Sequence, residues 1–188
     1  MTLDDILAEA FACLAAGVAE HGSPFRTLTL ATVDASGSPD TRTIVLRGFD
    51  RAANVVSLHT DSRAAKYGQI LANPAVALLF WDKQRRLQLR LRGRATLHGG
   101  DATARAAWAA LPNVARQLYR VRQAPGTQLP DPSAAQYGEG PEALGFAAFV
   151  VIEVAFDRLE ALHLTDTGQI RARFDFLPGG VQAAWLVP

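Results

Sequence analysis

The sequence predicts a mainly β fold, an antiparallel barrel or sandwich with helices on its periphery. At least six segments alternate apolar and polar residues, which is the period of a strand with one buried face. Few helical segments separate these strands, whereas a parallel sheet needs a crossover helix between neighbouring strands. No Gly-x-Gly-x-x-Gly follows the first predicted strand, which argues against a Rossmann nucleotide site.

The first half of the chain is predicted to hold two helices and five strands. A helix over residues 2–20 carries one apolar face. A second helix over 62–72 is predicted to be capped by Asp61 or Ser62 and to end before Pro74. The predicted strands are 27–33, 41–47, 54–59, 75–81 and 86–97.

The second half is predicted to hold two helices, a long loop and three strands. The helices are 101–110 and 113–121, and the loop at 122–145 is rich in proline and glycine. A loop of this length is usually functional or mobile. The predicted strands are 146–157, which can extend to Leu164, then 170–176 and 181–187.

Composition limits the class of protein. With 188 residues, 49% of them hydrophobic, the chain is predicted to form one domain over 1–188 with a substantial core. The formal net charge of +1 gives no overall attraction to nucleic acid or membrane. Cys13 has no partner for a disulfide, the first residues are acidic rather than basic, and no apolar run approaches membrane-spanning length. We therefore expect a cytoplasmic protein.

Polar side chains recur on predicted strands, and they form the candidate site. Arg42 and Arg47 lie five residues apart on one strand, so regular geometry directs them to opposite faces. Either could bind a phosphate, although exposed arginines on strands are also common. Gln88 lies between apolar neighbours, where its amide could form hydrogen bonds with the edge of a heterocycle or simply face solvent.

The segment 60–66 has the composition of an anion site. Backbone N–H groups at a helix start attract anions, and Arg63 and Lys66 add two full positive charges nearby. Thr60 and Ser62 add hydroxyl donors, whereas Asp61 opposes an anion unless it caps the helix or bonds a ligand hydroxyl. The four histidines have no metal-ligand spacing, and no nucleophile motif supports hydrolysis.

Five motifs in order resemble the pyridoxamine 5'-phosphate oxidase-like family of FMN-binding split barrels. They cover nearly the whole chain. The motifs are Arg-Thr-Ile-Val-Leu-Arg at 42–47, Thr-Asp-Ser-Arg with Lys66 at 60–66, Asn-Pro at 73–74, Arg-Leu-Gln-Leu-Arg-Leu-Arg-Gly at 86–93, and Arg-Ala-Arg-Phe at 171–174 with the end of the chain.

The resemblance implies an antiparallel split β-barrel of the FMN-binding type and a homodimer with FMN at the subunit interface. Phosphate contacts would come from Arg42, Ser62, Arg63 and Lys66, and Gln88 would lie near the polar edge of the ring. The residues it assigns to FMN are Arg42, Thr43, Ile44, Val45, Leu46, Arg47, Thr60, Ser62, Arg63, Lys66, Gln88 and Arg173. It identifies no catalytic residue.

The sequence departs from the family pattern at four places, two of which, Arg116 and Arg171, belong to the vitamin-phosphate pocket. Ala64 replaces the lysine that directly follows the Ser-Arg pair, Arg116 lacks its serine partner, and Arg171 occupies the place of a histidine. Ala161 to His163 stand where a tryptophan is expected. The pattern suits a related subfamily, an FMN-dependent oxidoreductase with an unidentified small substrate. The alternative is a non-catalytic flavin or haem carrier on the same barrel.

Overall fold

A computed structural model describes residues 1–135, 138 and 140–188. Its strands are β1 (Thr27–Val33), β2 (Pro39–Asp50), β3 (Val55–Asp61), β4 (Ala75–Asp82), β5 (Leu87–His98), β6 (Phe149–Thr165), β7 (Gly168–Leu177) and β8 (Gly180–Leu186). Its helices are α1 (Leu3–Ala19), α2 (Ala65–Ala72), α3 (Ala102–Ala110), α4 (Asn113–Gln117) and α5 (Glu142–Ala148), with short 3-10 turns at Pro24–Arg26 and Pro132–Ala134. Within the described ranges, no helix has both the length and the apolar character to cross a membrane.

Six antiparallel strands close into a barrel. The strand order is β3-β2-β1-β4-β5-β6, and β6 pairs back onto β3 to complete the ring. The 17-residue β6 pairs with β5 along its length, with β3 through its first half and with β7 through its second. The β7–β8 hairpin therefore extends the sheet beyond the barrel wall. The predicted split barrel is confirmed.

Two bulges shape this barrel. The β2–β3 register shifts between Leu46 and Gly48, so Arg47 is an extra residue in β2. Before it, Leu46 faces inward; after it, Phe49 packs on the core. A second shift lies opposite Gly93, where an added Cβ would come within 2.2 Å of the Ala155 carbonyl oxygen. Only glycine fits that close approach.

The barrel interior is the main core, and α1 closes one end of it. Leu30, Leu58, Phe80 and Leu89 are fully buried inside the barrel. Cys13, on the buried face of α1, belongs to the same core. A smaller apolar cluster, centred on Phe149 and Trp108, lies between the outer surface of β6 and α3.

Most predicted elements are confirmed, and the differences have local causes. The helix expected at 62–72 begins only at Ala65, because 62–64 form a turn. The helix expected at 113–121 ends at Gln117. The loop expected at 122–145 contains a 3-10 turn and the start of α5, which takes the first residues of the strand expected at 146–157. Residues 136, 137 and 139 of that loop lie outside the described residues.

Candidate cofactor-binding site

The barrel wall has a gap between β2 and β3. Their pairing covers only Leu46 to Asp50 of β2, while residues 39–45 pair with β1 on the other side. The end of β3, from His59 to Asp61, pairs with β6 but, among the described residues, not with β2. Main-chain groups on both sides of this gap are therefore available to a ligand. We call this opening the β2–β3 gap.

Arg42 lies on the inward face of β2 beside the gap. Its guanidinium donates to Thr32 Oγ1 at 2.6 Å, to the Leu30 carbonyl at 3.3 Å and to Gln69 Oε1 at 3.1 Å, and it pairs with Asp40 at 2.5 Å. Gln69 belongs to α2, so this network holds α2 against the end of the barrel. Most donors of Arg42 are already engaged.

Lys66 is the unpaired cation of the site. Its side chain is half-buried, and within the described part of the chain it forms no hydrogen bond or ion pair. Burial lowers the pKa of Lys66, and the positive charge of Arg42 lowers it further, while Asp61 and Asp40 oppose both effects. The amine therefore lies between the two sides of the β2–β3 gap without a direct counter-ion.

Asp61 and Arg63 form a closed turn in front of α2. The Asp61 carboxylate accepts from the Arg63 backbone N–H at 2.8 Å and from Nε and Nη2 at 2.9 and 2.6 Å. Neither Asp61 nor Ser62 caps the helix, and the cap residue is Ala64, without a side-chain bond. The predicted cap is wrong because Asp61 turns its oxygens to Arg63 instead.

Arg63 also contacts a segment that sequence reasoning did not assign to the site. Its Nη1 donates to the Val121 carbonyl at 2.9 Å and to the Arg122 carbonyl at 3.3 Å. Cavities of about 340 and 230 Å³ lie on either side of this contact, and Arg63 and Val121 line both. Because the bonds use main-chain oxygens, no side-chain pattern could have predicted them.

An aromatic cluster lies outside β3, next to the bulge at Arg47. His59 and Tyr119 both pack edge-on against Phe149, with ring centroids 4.8 and 5.0 Å away. Burial, followed by the charge of Arg47, lowers the pKa of His59 to about 4. Burial raises the pKa of Tyr119 to about 12. The Nδ1 of His59 is buried without a hydrogen-bond partner in the described structure, so it can bond a ligand.

Gln88 and Arg173 lie elsewhere, on the outer face of the sheet. Gln88 lines a groove of about 540 Å³ over β1, β4, β5 and β6. Arg173 of β7 lies opposite Glu160 of β6 in the strand register, and Glu160 lines the same groove. The Nε of Arg173 lies 2.9 Å from Asp175 Oδ2, but the two atoms do not have hydrogen-bond geometry. Thr43 faces outward on β2, near the other end of this surface.

Within a single chain, the predicted site residues thus lie on different surfaces. Those at the β2–β3 gap and the turn beside it are Arg42, Thr60, Ser62, Arg63 and Lys66, while Thr43, Gln88 and Arg173 face the outer surface of the sheet. Arg47 faces outward, opposite to Arg42, as the spacing predicted. Ile44 packs against the core and Leu46 is buried in it, so only their main chain can meet a ligand.

The residues at the gap fit a phosphate-bearing planar ligand. Among the described residues, Lys66 offers a positive charge without an ion pair, His59 a nitrogen without a hydrogen bond, and the two strands main-chain donors and acceptors. A charged phosphate would complete the bonding of the amine, and a heterocycle edge could bond the exposed main chain. The fold and the site define a split-barrel protein of the flavin-binding type.

Comparisons with known proteins show which family the first half of the chain is similar to. Residues 8–99 match the family model described as "Pyridoxamine 5'-phosphate oxidase, FMN-binding domain". These residues are similar to that FMN-binding domain, as the motifs predicted, and FMN is the cofactor of the matched domain. The match includes β1 to β5, α2 and both sides of the β2–β3 gap.

Curated relatives match only part of the chain. The pyridoxine/pyridoxamine 5'-phosphate oxidase of Caulobacter vibrioides is 41% identical over 78 residues, which are 42% of this chain and 34% of that protein. The oxidase of Nitrobacter hamburgensis is 41% identical over 92 residues, 47% of this chain and 42% of its own length. The chain thus spans less than half the length of the curated relatives it matches.

Solved structures extend the likeness of fold to the whole chain. A pyridoxamine 5'-phosphate oxidase-related FMN-binding protein from Nostoc punctiforme superposes with a TM-score of 0.79 at 24% identity, covering 96% of each chain. PhzG from Burkholderia lata gives a TM-score of 0.74 at 18% identity, covering 98% of this chain and 91% of its own. At these identities the similarity establishes the fold.

Proposed function

We propose that this protein is an FMN-dependent oxidoreductase that acts on a small molecule as a homodimer. The observation that carries the proposal is the β2–β3 gap, where β2 and β3 do not pair within the described residues and the amine of Lys66 forms no ion pair with them. Bound FMN would supply the electron chemistry. A cytoplasmic location and a single domain over 1–188 remain predictions.

Each residue at the gap has a distinct proposed role. Lys66 binds the phosphate through its charge, and Ser62 and Arg63 add donors from the adjoining turn. Arg42 holds α2 through Gln69 and thereby keeps Lys66 beside the gap. Residues 43–46 offer main chain to the ring, since the side chains of Ile44 and Leu46 lie in the core.

The separation of the two groups of site residues supports a homodimer. Gln88 and Arg173 lie on the outer sheet face, so we propose that they reach the FMN held by the partner subunit. The outer face of β4 offers an apolar surface for this contact, with Leu79 38% and Trp81 44% exposed.

Light scattering tests the homodimer directly. We expect a particle of about twice the 20.2 kDa chain mass, because the apolar outer face of β4 is covered only in a dimer. Leu79→Asp should shift the particle toward the single-chain mass, since it places a charge in that surface. Val114→Asp, which changes an equally apolar but separate exposed side chain on α4, is the control. A monomer that binds FMN fully would contradict the proposal.

Reconstitution with FMN tests the cofactor and separates the enzyme from the carrier. The purified protein should take up FMN and show the absorption bands of oxidised flavin. An enzyme should then pass electrons from some reductant to an acceptor through many cycles, whereas a carrier should hold the flavin without turnover. A Soret band after incubation with haem, together with no uptake of FMN, would instead support the haem carrier.

Pyridoxamine 5'-phosphate oxidation is a separate question. Curated relatives with that name match less than half of the chain, and Arg116 and Arg171 depart from the pattern of the vitamin-phosphate pocket. In the structure both arginines are paired, Arg116 with Glu142 and Arg171 with Glu160. We therefore expect little pyridoxal 5'-phosphate formation by the FMN-loaded protein. Rapid formation at micromolar substrate would show that other residues bind the substrate phosphate.

A further inference from the structure

Arg63 connects two parts of the chain that are nearly sixty residues apart. Its Nε and Nη2 are bonded to Asp61, and its Nη1 bonds the carbonyls of Val121 and Arg122. Five guanidinium N–H groups exist, and these bonds occupy four of them. One N–H of Nη2 remains for a further acceptor.

Burial fixes which of these bonds is hardest to break. Asp61 is only 8% exposed, and apart from backbone N–H groups Arg63 is its partner among the described residues. Removing Arg63 would leave a buried carboxylate without a counter-charge, which is costly. The guanidinium is therefore held in one orientation by Asp61, and that orientation is the one that reaches Val121 and Arg122.

The bonded carbonyls belong to a segment that forms cavity walls. Residues between Leu118 and Thr127 line the two cavities beside Arg63, of about 340 and 230 Å³. Tyr119 packs edge-on against Phe149 and Arg120 donates to the Gly140 carbonyl, so the start of the segment is anchored. Beyond Arg120, the two bonds from Arg63 reach its main chain at Val121 and Arg122 and connect its position to the orientation of the guanidinium.

We infer that Arg63 is a brace that couples the cofactor phosphate to the position of residues 118–127. This inference rests on the proposed function, because it takes the anion at the gap to be the FMN phosphate. A phosphate that bonds the free N–H of Nη2 favours the same orientation of the guanidinium as the two carbonyls do. Each contact therefore strengthens the other, as linkage requires, and FMN should hold the cavity walls in place.

Hydrogen exchange of residues 118–127 tests the brace. The exchange is measured in FMN-free protein, with riboflavin and with FMN, since riboflavin has the same ring without the phosphate. FMN should slow exchange in this segment about 5-fold or more beyond riboflavin, the lower end of typical coupling between sites. Arg63→Lys keeps the charge but loses the fork, so it should abolish this additional slowing.

The control variant is Arg122→Lys. It alters the exposed side chain of the segment and leaves the bonded carbonyl unchanged, so the FMN-specific slowing should persist. Equal slowing by riboflavin and FMN in the parent protein, or FMN-specific slowing that survives Arg63→Lys, would overturn the brace.

The FMN-free protein separates failure of the brace from failure of the cofactor assignment. If the absorption spectrum of FMN does not change when FMN is mixed with the protein, the proposed function fails. The contact of Arg63 with the segment is then judged without ligand, where Arg63→Lys should exchange faster than both the parent and Arg122→Lys. If all three exchange alike, the brace is refuted as well.

Discussion

The outer groove and the β2–β3 gap are both basic, but they differ in how their charges are paired. In the groove, Arg90 and Arg171 share Glu160, and Arg158 pairs with Asp175 at 2.6 Å. At the gap, Lys66 has no ion pair among the described residues. These groove arginines therefore each contact a carboxylate, whereas the amine of Lys66 is left for a ligand anion.

This difference shows what separates a ligand-binding cation from a structural one. Arginine makes up 17 of the 19 basic residues, so their number alone identifies no site. The pairing and burial of a cation do identify a site, because a half-buried charge without a partner is unfavourable until an anion binds it. The comparison therefore predicts a large effect on FMN binding at Lys66 and a small one at the exposed Arg92–Asp157 ion pair of the groove.

The largest effect should follow Lys66→Met. Removing the amine deletes a charge-assisted contact to the phosphate, worth roughly 1.5–3 kcal/mol. The FMN dissociation constant should rise roughly 10- to 150-fold, and that of riboflavin should hardly change. Fluorescence titration with both flavins measures this. Lys83, the other lysine of the chain, is exposed in the β4–β5 turn, so Lys83→Met is the matched control.

A different result for Lys66→Met would show that the β2–β3 gap and the outer groove do not differ in ligand binding. If FMN affinity is unchanged, Lys66 faces solvent in the loaded protein and the gap does not bind the phosphate. If Lys83→Met weakens FMN equally, the effect is one of overall charge rather than of a site.

A smaller effect concerns His59 and pH. Its pKa in the folded protein, about 4, lies below the unfolded value of about 6.5, so the unfolded chain binds the proton more tightly. Stability should therefore fall as pH decreases from 6.5 to 4, by up to about 2 kcal/mol after allowance for partial exposure. Urea unfolding at several pH values measures it. His59→Leu should flatten this part of the profile, and the exposed His21→Gln should not.

The smallest effect should come from the groove. Arg92 and Asp157 form an ion pair at 3.3 Å with both side chains more than half exposed. Arg92→Ala should cost about 0.2–1 kcal/mol in thermal unfolding and leave FMN affinity unchanged, because exposed pairs are well screened. A loss above 2 kcal/mol, or weaker FMN binding, would mean that a partner subunit or ligand covers Arg92.

The fold was largely predictable because strand alternation is a local signal. The predicted bounds of β1 match those observed, and β4 and β5 differ by a residue or so. The ends of helices were less predictable, since they depend on capping. Asp61 had the composition of a cap residue, but its carboxylate is occupied by Arg63.

The site was predictable in its residues and not in its arrangement. Motifs placed Arg42 and Gln88 in one list, but alternation along their strands directs Arg42 inward and Gln88 to the outer face of the sheet. The bulge at Arg47 and the carbonyls of Val121 and Arg122 carry no side-chain signature. Long-range main-chain contacts of this kind depend on tertiary structure, which a single sequence does not encode locally.

The double pairing of β6 has a consequence for how the chain can be divided. The family match over residues 8–99 ends after β5, before β6 closes the ring. Expressed alone, that region would be an open five-stranded sheet with β3 and β5 as free edges. Free edges recruit strands from other molecules, so such a fragment should self-associate rather than remain dispersed. The part of the sequence that carries the family signature thus depends for its solubility on a strand that lies outside it.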